Sequence, residues 1–114
     1  MTGPAVVVIG ADPYGLGEEL EALGAAVTRV TAPVSGETLD DAGIADAAIV
    51  VVTEMSEAAS LAVATERNPA VRAVTYAERS LPAYAARVTD LALDPDLLSP
   101  AVVAEELLGD SADD

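Results

Sequence analysis

Short apolar runs alternate with helical patterns along this chain, and the alternation limits the fold more than any other feature. The first run, residues 5–9, is rich in β-branched side chains and stops at Gly10. It is too short for a helix and apolar on both faces, as in a buried parallel strand. From Tyr14 to Leu23 the period changes: leucines share one helical face, glutamates occupy the rest, and Gly24 follows as a stop.

The same reading over the whole chain gives five strand–helix units. Strands are predicted at residues 5–9, 26–30, 47–52, 71–75 and 88–93, and helices at 14–23, 37–42, 56–67, 80–86 and 100–108. Such alternation implies a parallel sheet covered on both faces. Right-handed crossovers then give an α/β, three-layer, doubly wound fold with strand order 2-1-3-4-5, Rossmann-like or flavodoxin-like. We expect one domain over residues 1–109 and an acidic tail at 110–114.

Composition excludes several chemistries. The chain has no His, Cys, Trp, Phe or Lys, so it cannot use a cysteine nucleophile, a histidine base, a Schiff-base lysine or a disulfide. Five arginines against 20 acidic residues give a net charge of −15, which opposes binding to nucleic-acid phosphates. Carboxylates and hydroxyls alone suit base catalysis near neutral pH poorly. An enzyme is therefore the least favoured interpretation.

The residue content also predicts the environment in which the protein works. The first ten residues lack a basic segment and no apolar run reaches 18 residues, so we expect a cytoplasmic protein without membrane insertion. A high acidic content, no lysine and an Ala- and Val-rich core are typical of proteins from halophiles that hold molar salt. An acidic mesophile protein is the alternative.

The loop after the first strand carries a glycine pattern. Gly10 ends the strand and Gly15 opens the helix, at the spacing of the outer glycines in the dinucleotide fingerprint G-x-G-x-x-G. Asp12 holds the place of the middle glycine, where a carboxylate opposes a bound pyrophosphate. After the second strand, Thr31 stands where the fingerprint has an acidic ribose ligand. A tight turn without a ligand is the alternative interpretation.

A wider pattern resembles the TrkA-type nucleotide-binding domain (the RCK or KTN domain) of potassium-transport regulators. The matching segments are VVVIGADPYGLGEELEALGAAVTRV, LDDAGIADAAIVVVTEMSEAASLAVATERNP and VTDLALDP, within residues 5–108. The resemblance implies dimerisation and binding of NAD or an adenine nucleotide at residues 10–15 and around Thr53. The stretch before Glu37 is too short for that family's third strand, and its deletion gives the five-strand order.

The candidate binding residues all follow predicted strand ends. They are Gly10, Ala11, Asp12, Pro13, Tyr14, Gly15, Thr53, Glu54 and Thr75. Asp12 is expected to obstruct a phosphate, so that Asp12→Gly would strengthen nucleotide binding. The arginines are scattered and form no anion clamp, and Arg79 alone is placed near this edge. Asp12, Glu54 and Asp94 could hold Mg²⁺, but so acidic a chain brings carboxylates there by chance, and no metal site is predicted.

Two functions remain open from the sequence. The first is a small regulatory module that binds a nucleotide, with a homodimer or a transporter-type protein as partner. The second is a domain without a ligand that acts in dimerisation or partner contact. A response-regulator receiver domain has the same strand order, but its phosphorylation needs an aspartate where Thr53 stands and a lysine after the fifth strand. The receiver interpretation is rejected on these two positions.

The charge balance generates a prediction about salt. We expect the melting temperature to rise steeply between 0.1 M and about 2 M KCl. At about 1 M salt the screening length falls to roughly 3 Å, so the charges of a protein with net charge −15 no longer repel one another strongly. Thermal denaturation followed by circular dichroism measures this. A melting temperature that stays flat across the series would remove the halophile interpretation.

Overall fold

Five parallel strands form one sheet in the computed structural model, which describes residues 3–31, 34–77 and 89–112. The strands are β1 (Ala5–Ile9), β2 (Ala26–Val30), β3 (Ile49–Val52), β4 (Arg72–Tyr76) and β5 (Leu91–Leu93). Their order is β2-β1-β3-β4-β5, and every neighbouring pair is parallel. This flavodoxin-like architecture confirms the predicted fold class.

Helices cover both faces of the sheet. They are α1 (Leu16–Ala22), α2 (Gly36–Asp41), α3 (Ser60–Arg67) and α4 (Pro100–Ala112), with 3₁₀ turns at Ile44–Asp46 and Met55–Glu57. Buried side chains of α1 and α4 join one core cluster. Those of α2, α3 and the first 3₁₀ turn join the other. The fold is therefore a three-layer sandwich with a core on each side of the sheet.

The burial of β1 explains its continuous apolar run. Val6 and Val8 lie in the core beside α1, whereas Val7 and Ile9 lie in the core beside α2 and α3. β1 also pairs with β2 on one side and β3 on the other, so it meets protein in all four directions. A strand in this position has no solvent-facing side chain to alternate with, and apolar residues therefore occur at every position.

Several predicted boundaries are wrong. The first helix begins at Leu16 rather than Tyr14, because the loop before it adopts left-handed backbone at Asp12 (φ 53°) and Gly15 (φ 73°). The third begins at Ser60, after a 3₁₀ turn that occupies the predicted start. The last continues through Gly109 to Ala112, since glycine weakens a helix without obligatorily ending it. The helix predicted at 80–86, with Tyr84, lies outside the described residues, as does Arg79.

Asn68 joins the end of α3 to the turn before β3. Its buried side-chain amide donates to the carbonyl oxygens of Ile44 and Ala47, both at 2.9 Å. The side-chain oxygen Oδ1 of Asn68 accepts from the backbone N–H of Ala70 at 3.1 Å. The sequence attributes the helix end to Pro69 alone, but the side chain of Asn68 also fixes where the chain turns toward β4.

The Asn68 contacts predict a stability loss. We expect Asn68→Ala to lower the free energy of unfolding by about 2 kcal/mol, because buried carbonyl groups lose their donors. Denaturant unfolding in high salt measures it. Thr65→Ala is the control, since the Thr65 hydroxyl donates only to the nearby Ala62 carbonyl; it should cost less than about 0.5 kcal/mol. Equal losses in the two variants would contradict the assigned role.

Candidate functional site

The loop after β1 meets the residues after β3 at the carboxyl edge of the sheet. β1 and β3 are adjacent and parallel, with Ile9 level with Val52, so both chains leave the sheet at the same place. Ligands of doubly wound proteins bind at this edge. The structure thus brings together eight of the nine candidate residues, those at 10–15 and at 53–54.

Thr53 ties the two loops together. Its hydroxyl donates to the carbonyl oxygen of Ile9 at 2.9 Å and accepts from the backbone N–H of Asp12 at 3.1 Å. Gly10 lies against it with φ 108°, and a Cβ there would stand only 2.6 Å from the hydroxyl oxygen. The first glycine of the pattern is therefore required by the approach of Thr53.

Glu54 accepts a hydrogen bond from a second backbone N–H of the loop. Its Oε1 accepts from the backbone N–H of Ala11 at 2.6 Å. A carboxylate beside this N–H occupies the position where an incoming anion would seek a donor. Glu54 thus supports the loop from the β3 side.

The Asp12 carboxylate closes the start of α1. Its side chain is 2% exposed, and its two oxygens accept from the backbone N–H groups of Leu16 at 2.9 Å and Gly17 at 2.8 Å. A negative charge at the start of a helix satisfies free donors and interacts favourably with the helix dipole. The expectation that Asp12 obstructs a phosphate stays a prediction, and the structure adds a role that the sequence did not indicate: the carboxylate caps the helix.

Arg29 completes this arrangement and was missed by sequence reasoning. Its Nη1 donates to Asp12 Oδ2 at 2.9 Å, and its guanidinium lies where a Cβ on Gly17 would be 2.7 Å from Nη2. The hydrogen bond to Asp12 is the main cause that raises the pKa of Arg29, which stays charged. The conclusion that the arginines are merely scattered is wrong at this position. The sequence offered one signal for this role: Arg29 is the only charged residue in the edge strand β2.

Two tyrosines pack at the same edge. The rings of Tyr14 and Tyr76 meet edge to face with centroids 5.9 Å apart. The Tyr76 hydroxyl donates to the carbonyl oxygen of Leu98 at 2.6 Å, which links β4 to the segment before α4. Burial raises the pKa of the Tyr76 phenol, and the charge of Asp12 adds to the shift. The phenol is therefore neutral near pH 7 and its proton is engaged within the protein.

Thr75 is the one candidate binding residue that does not join this group. Thr75 is fully buried, and its neighbours Val74 and Tyr76 belong to the core beside α1 and α4, so its side chain faces the opposite side of the sheet. Its hydroxyl has no hydrogen-bond partner in the described structure. Pro13 is exposed on the loop. Asp94 Oδ1 accepts from the backbone N–H of Asp96. Across residues 3–31, 34–77 and 89–112, no three potential metal-ligating side chains gather.

The backbone donors of this loop are consumed by the chain itself. Asp12 accepts from three N–H groups, those of Gly15, Leu16 and Gly17. The other three acceptors are Val30 for the N–H of Gly10, Glu54 for Ala11 and Thr53 for Asp12. Pro13 has no N–H, and Tyr14 also has an interaction partner. The six N–H groups named above are thus satisfied within the chain, three of them by the carboxylates of Asp12 and Glu54.

The sequence matches one protein family. Residues 6–107 fit the family of unknown function DUF7126. The chain belongs to this family. No curated protein matches its sequence. Within the part of the DUF7126 chain that the structure describes, no helix has the length and apolar character needed to cross a membrane.

Solved structures share the fold of the DUF7126 chain at low sequence identity. An orphan response regulator of H. pylori has a TM-score of 0.72 at 14% identity, covering 94% of this chain and 96% of that one. A CheY-like receiver domain from Methylobacillus flagellatus has 0.63 at 16%, covering 95% and 98%. A response regulator from Burkholderia pseudomallei with a phosphorylated aspartic acid, a calcium ion and citrate has 0.61 at 19%, covering 96% and 73%.

These findings correct two interpretations. The resemblance to TrkA-type nucleotide-binding domains is wrong, because the matching family is DUF7126 and the structural neighbours are receiver domains. The nucleotide-binding assignment falls with it. Glycines at Gly10 and Gly15 are equally required by a tight strand-to-helix turn. The neighbours have the five-strand order that the sequence analysis noted for receiver domains, whereas Thr53 occupies the position of the aspartate on which the receiver interpretation was rejected.

The Asp12 contacts predict a graded stability series. Asp12→Ala should lower the free energy of unfolding by about 2–3 kcal/mol, because it removes the helix cap and leaves a non-glycine residue at positive φ. Asp12→Gly should regain about 1 kcal/mol of that loss, since glycine tolerates this backbone. Arg29→Ala should cost less than about 1 kcal/mol, because its side chain is 40% exposed. Denaturant unfolding in high salt checks the order, and an Asp12→Ala variant as stable as wild type would contradict it.

Proposed function

We propose that this DUF7126 protein is a regulatory interaction module: it uses a receiver-type fold to contact a partner protein and accepts no phosphoryl group. The observation that carries this is the self-satisfied loop at the carboxyl edge of the sheet. Carboxylates of Asp12 and Glu54 occupy donors that a phosphate would need. What remains available for recognition is the outer surface.

The position after β3 supports a role without phosphoryl transfer. Receiver chemistry requires an aspartate there and a lysine after the fifth strand. Here Thr53 is 4% exposed and its hydroxyl donates to a backbone carbonyl. Asp94 follows β5, and the chain contains no lysine. A buried hydroxyl whose proton is engaged by a backbone carbonyl is a poor nucleophile.

The same loop argues against a dinucleotide at residues 10–15. Such a ligand would have to displace the Asp12 carboxylate from α1 and the Glu54 carboxylate from Ala11 before reaching these donors. Its phosphates would also meet a chain of net charge −15. Contact with a partner requires neither displacement, so it is the function that this geometry favours.

Exposure to a phosphodonor and to nucleotides tests the proposal. The protein is incubated in high salt with acetyl phosphate and Mg²⁺ and analysed by intact-mass spectrometry, beside a receiver domain that has the aspartate. We expect phosphate on the control alone. Thermal unfolding with NAD, ADP or ATP should show no shift. A phosphorylated species, or a nucleotide that raises the melting temperature by more than about 2 °C in dose-dependent fashion, would overturn the proposal.

A further inference from the structure

An apolar groove runs between the last strand of the sheet and the last helix. It encloses about 250 Å³. Its lining residues come from β5, α4 and the segment between them: Leu91, Leu93, Leu98, Val102, Val103 and Glu106. Five of these six side chains are aliphatic, so the groove is suited to receive apolar side chains.

The groove lies at the margin of the described sheet. β5 is the terminal strand of the strand order and has only three residues. Val102 is 43% exposed, and Leu97, next to the lining residue Leu98, is 80% exposed. Large aliphatic side chains that are exposed beside an apolar groove are typical of an interaction surface, whereas single exposed ones need no explanation.

The chain segment that forms the groove carries acidic charges only. Residues 89–108 contain five acidic residues and no basic one. Glu106 lines the groove, and Glu105 and Asp96 are exposed nearby in the sequence. A partner surface that carries positive charge beside apolar anchors would complement this face.

A second copy of the chain lacks that complementarity. Each copy carries −15, and the groove's Glu106 would face the acidic residues of a second groove segment across a symmetric contact. Like charges brought together across an interface oppose association. The charge pattern therefore favours a different, basic partner over a homodimer.

We infer that the β5–α4 groove binds an amphipathic segment of a partner protein, with aliphatic side chains in the groove and arginine or lysine residues facing Glu106 and the other acidic residues of this segment. The inference rests on the proposed function and deepens it, because it names the surface and the chemistry of the partner. The apolar anchors supply affinity, and the basic residues supply selectivity over acidic segments.

Two synthetic peptides test the inference on the full-length protein. Both carry leucines on one helical face; one has arginines on the flanks and the other has glutamates at the same positions. Binding is followed by NMR chemical shifts at the lowest KCl concentration that keeps the protein folded, and again in about 2 M KCl. We expect the arginine peptide to shift resonances of β5 and α4 and to bind at least about tenfold more tightly than the glutamate peptide at the lower salt.

Matched variants separate the groove from the general acidity of the chain. Val102→Glu should weaken binding of the arginine peptide about tenfold by placing a charge in the apolar contact. Leu23→Glu, at an apolar position directly after α1 that is 52% exposed, should leave binding unchanged. Glu106→Arg should reduce the preference for the arginine peptide. Glu66→Arg, on the exposed surface of α3, should not.

Each contrary outcome points to a different failure. Peptide shifts confined to other surfaces, or equal effects of Val102→Glu and Leu23→Glu, would overturn the groove as the docking site. A stable dimer in sedimentation that dissociates in Val102→Glu would show that a second copy occupies it and would overturn the basic partner. These results concern the groove and do not depend on phosphate or nucleotide binding at the loop after β1. The phosphodonor and nucleotide experiments therefore test the proposed function separately.

Discussion

The buried carboxylate of Asp12 holds the carboxyl edge of the sheet in its observed form. It accepts hydrogen bonds from the first turn of α1 and from Arg29 on β2, and so joins a loop, a helix and a strand. Its left-handed backbone would be unfavourable for a side chain without these contacts. Thr53 and Glu54 then close the same loop from the side of β3.

This arrangement supports the proposal that the protein uses its receiver-type fold without accepting a phosphoryl group. The edge of a doubly wound sheet offers free N–H groups to an anion, and here the chain supplies the anions from its own side chains. The edge is thereby stabilised without a ligand. A protein whose reactive edge is occupied in this way keeps its helices and outer strands for recognition, which is the basis of the proposed interaction role.

Within the described residues, acidic charge and apolar surface occur together at β5 and α4. The described ion pairs involve Arg29 and Arg67, which lie near α1 and α2. The segment that forms β5 and α4 contains no basic residue, yet it encloses an aliphatic groove. An apolar groove lined by Glu106, in a segment whose only charges are acidic, supports the inferred preference for a partner of opposite sign.

The fold was accessible from the sequence because it depends on local patterns. β1 and β3 are apolar at every position, helical periods separate the strands, and right-handed crossovers then restrict the strand order to the one observed. Boundaries were less accessible where a turn competes with a helix, as between Tyr14 and Leu16. Glycine spacing at Gly10 and Gly15 indicated a tight turn and gave no information about what fills it.

The contacts that define the candidate site were decided only by the tertiary structure. Arg29 lies 17 residues from Asp12, and Thr53 lies 44 residues from Ile9. A sequence shows that such polar groups are present, but their partners are set when parallel strands lie side by side and bring distant loops to one edge. The local pattern therefore determined the α/β architecture, whereas the folded chain determined that Asp12, Thr53 and Glu54 satisfy the loop's donors, because a buried donor binds whichever acceptor the packing places within reach.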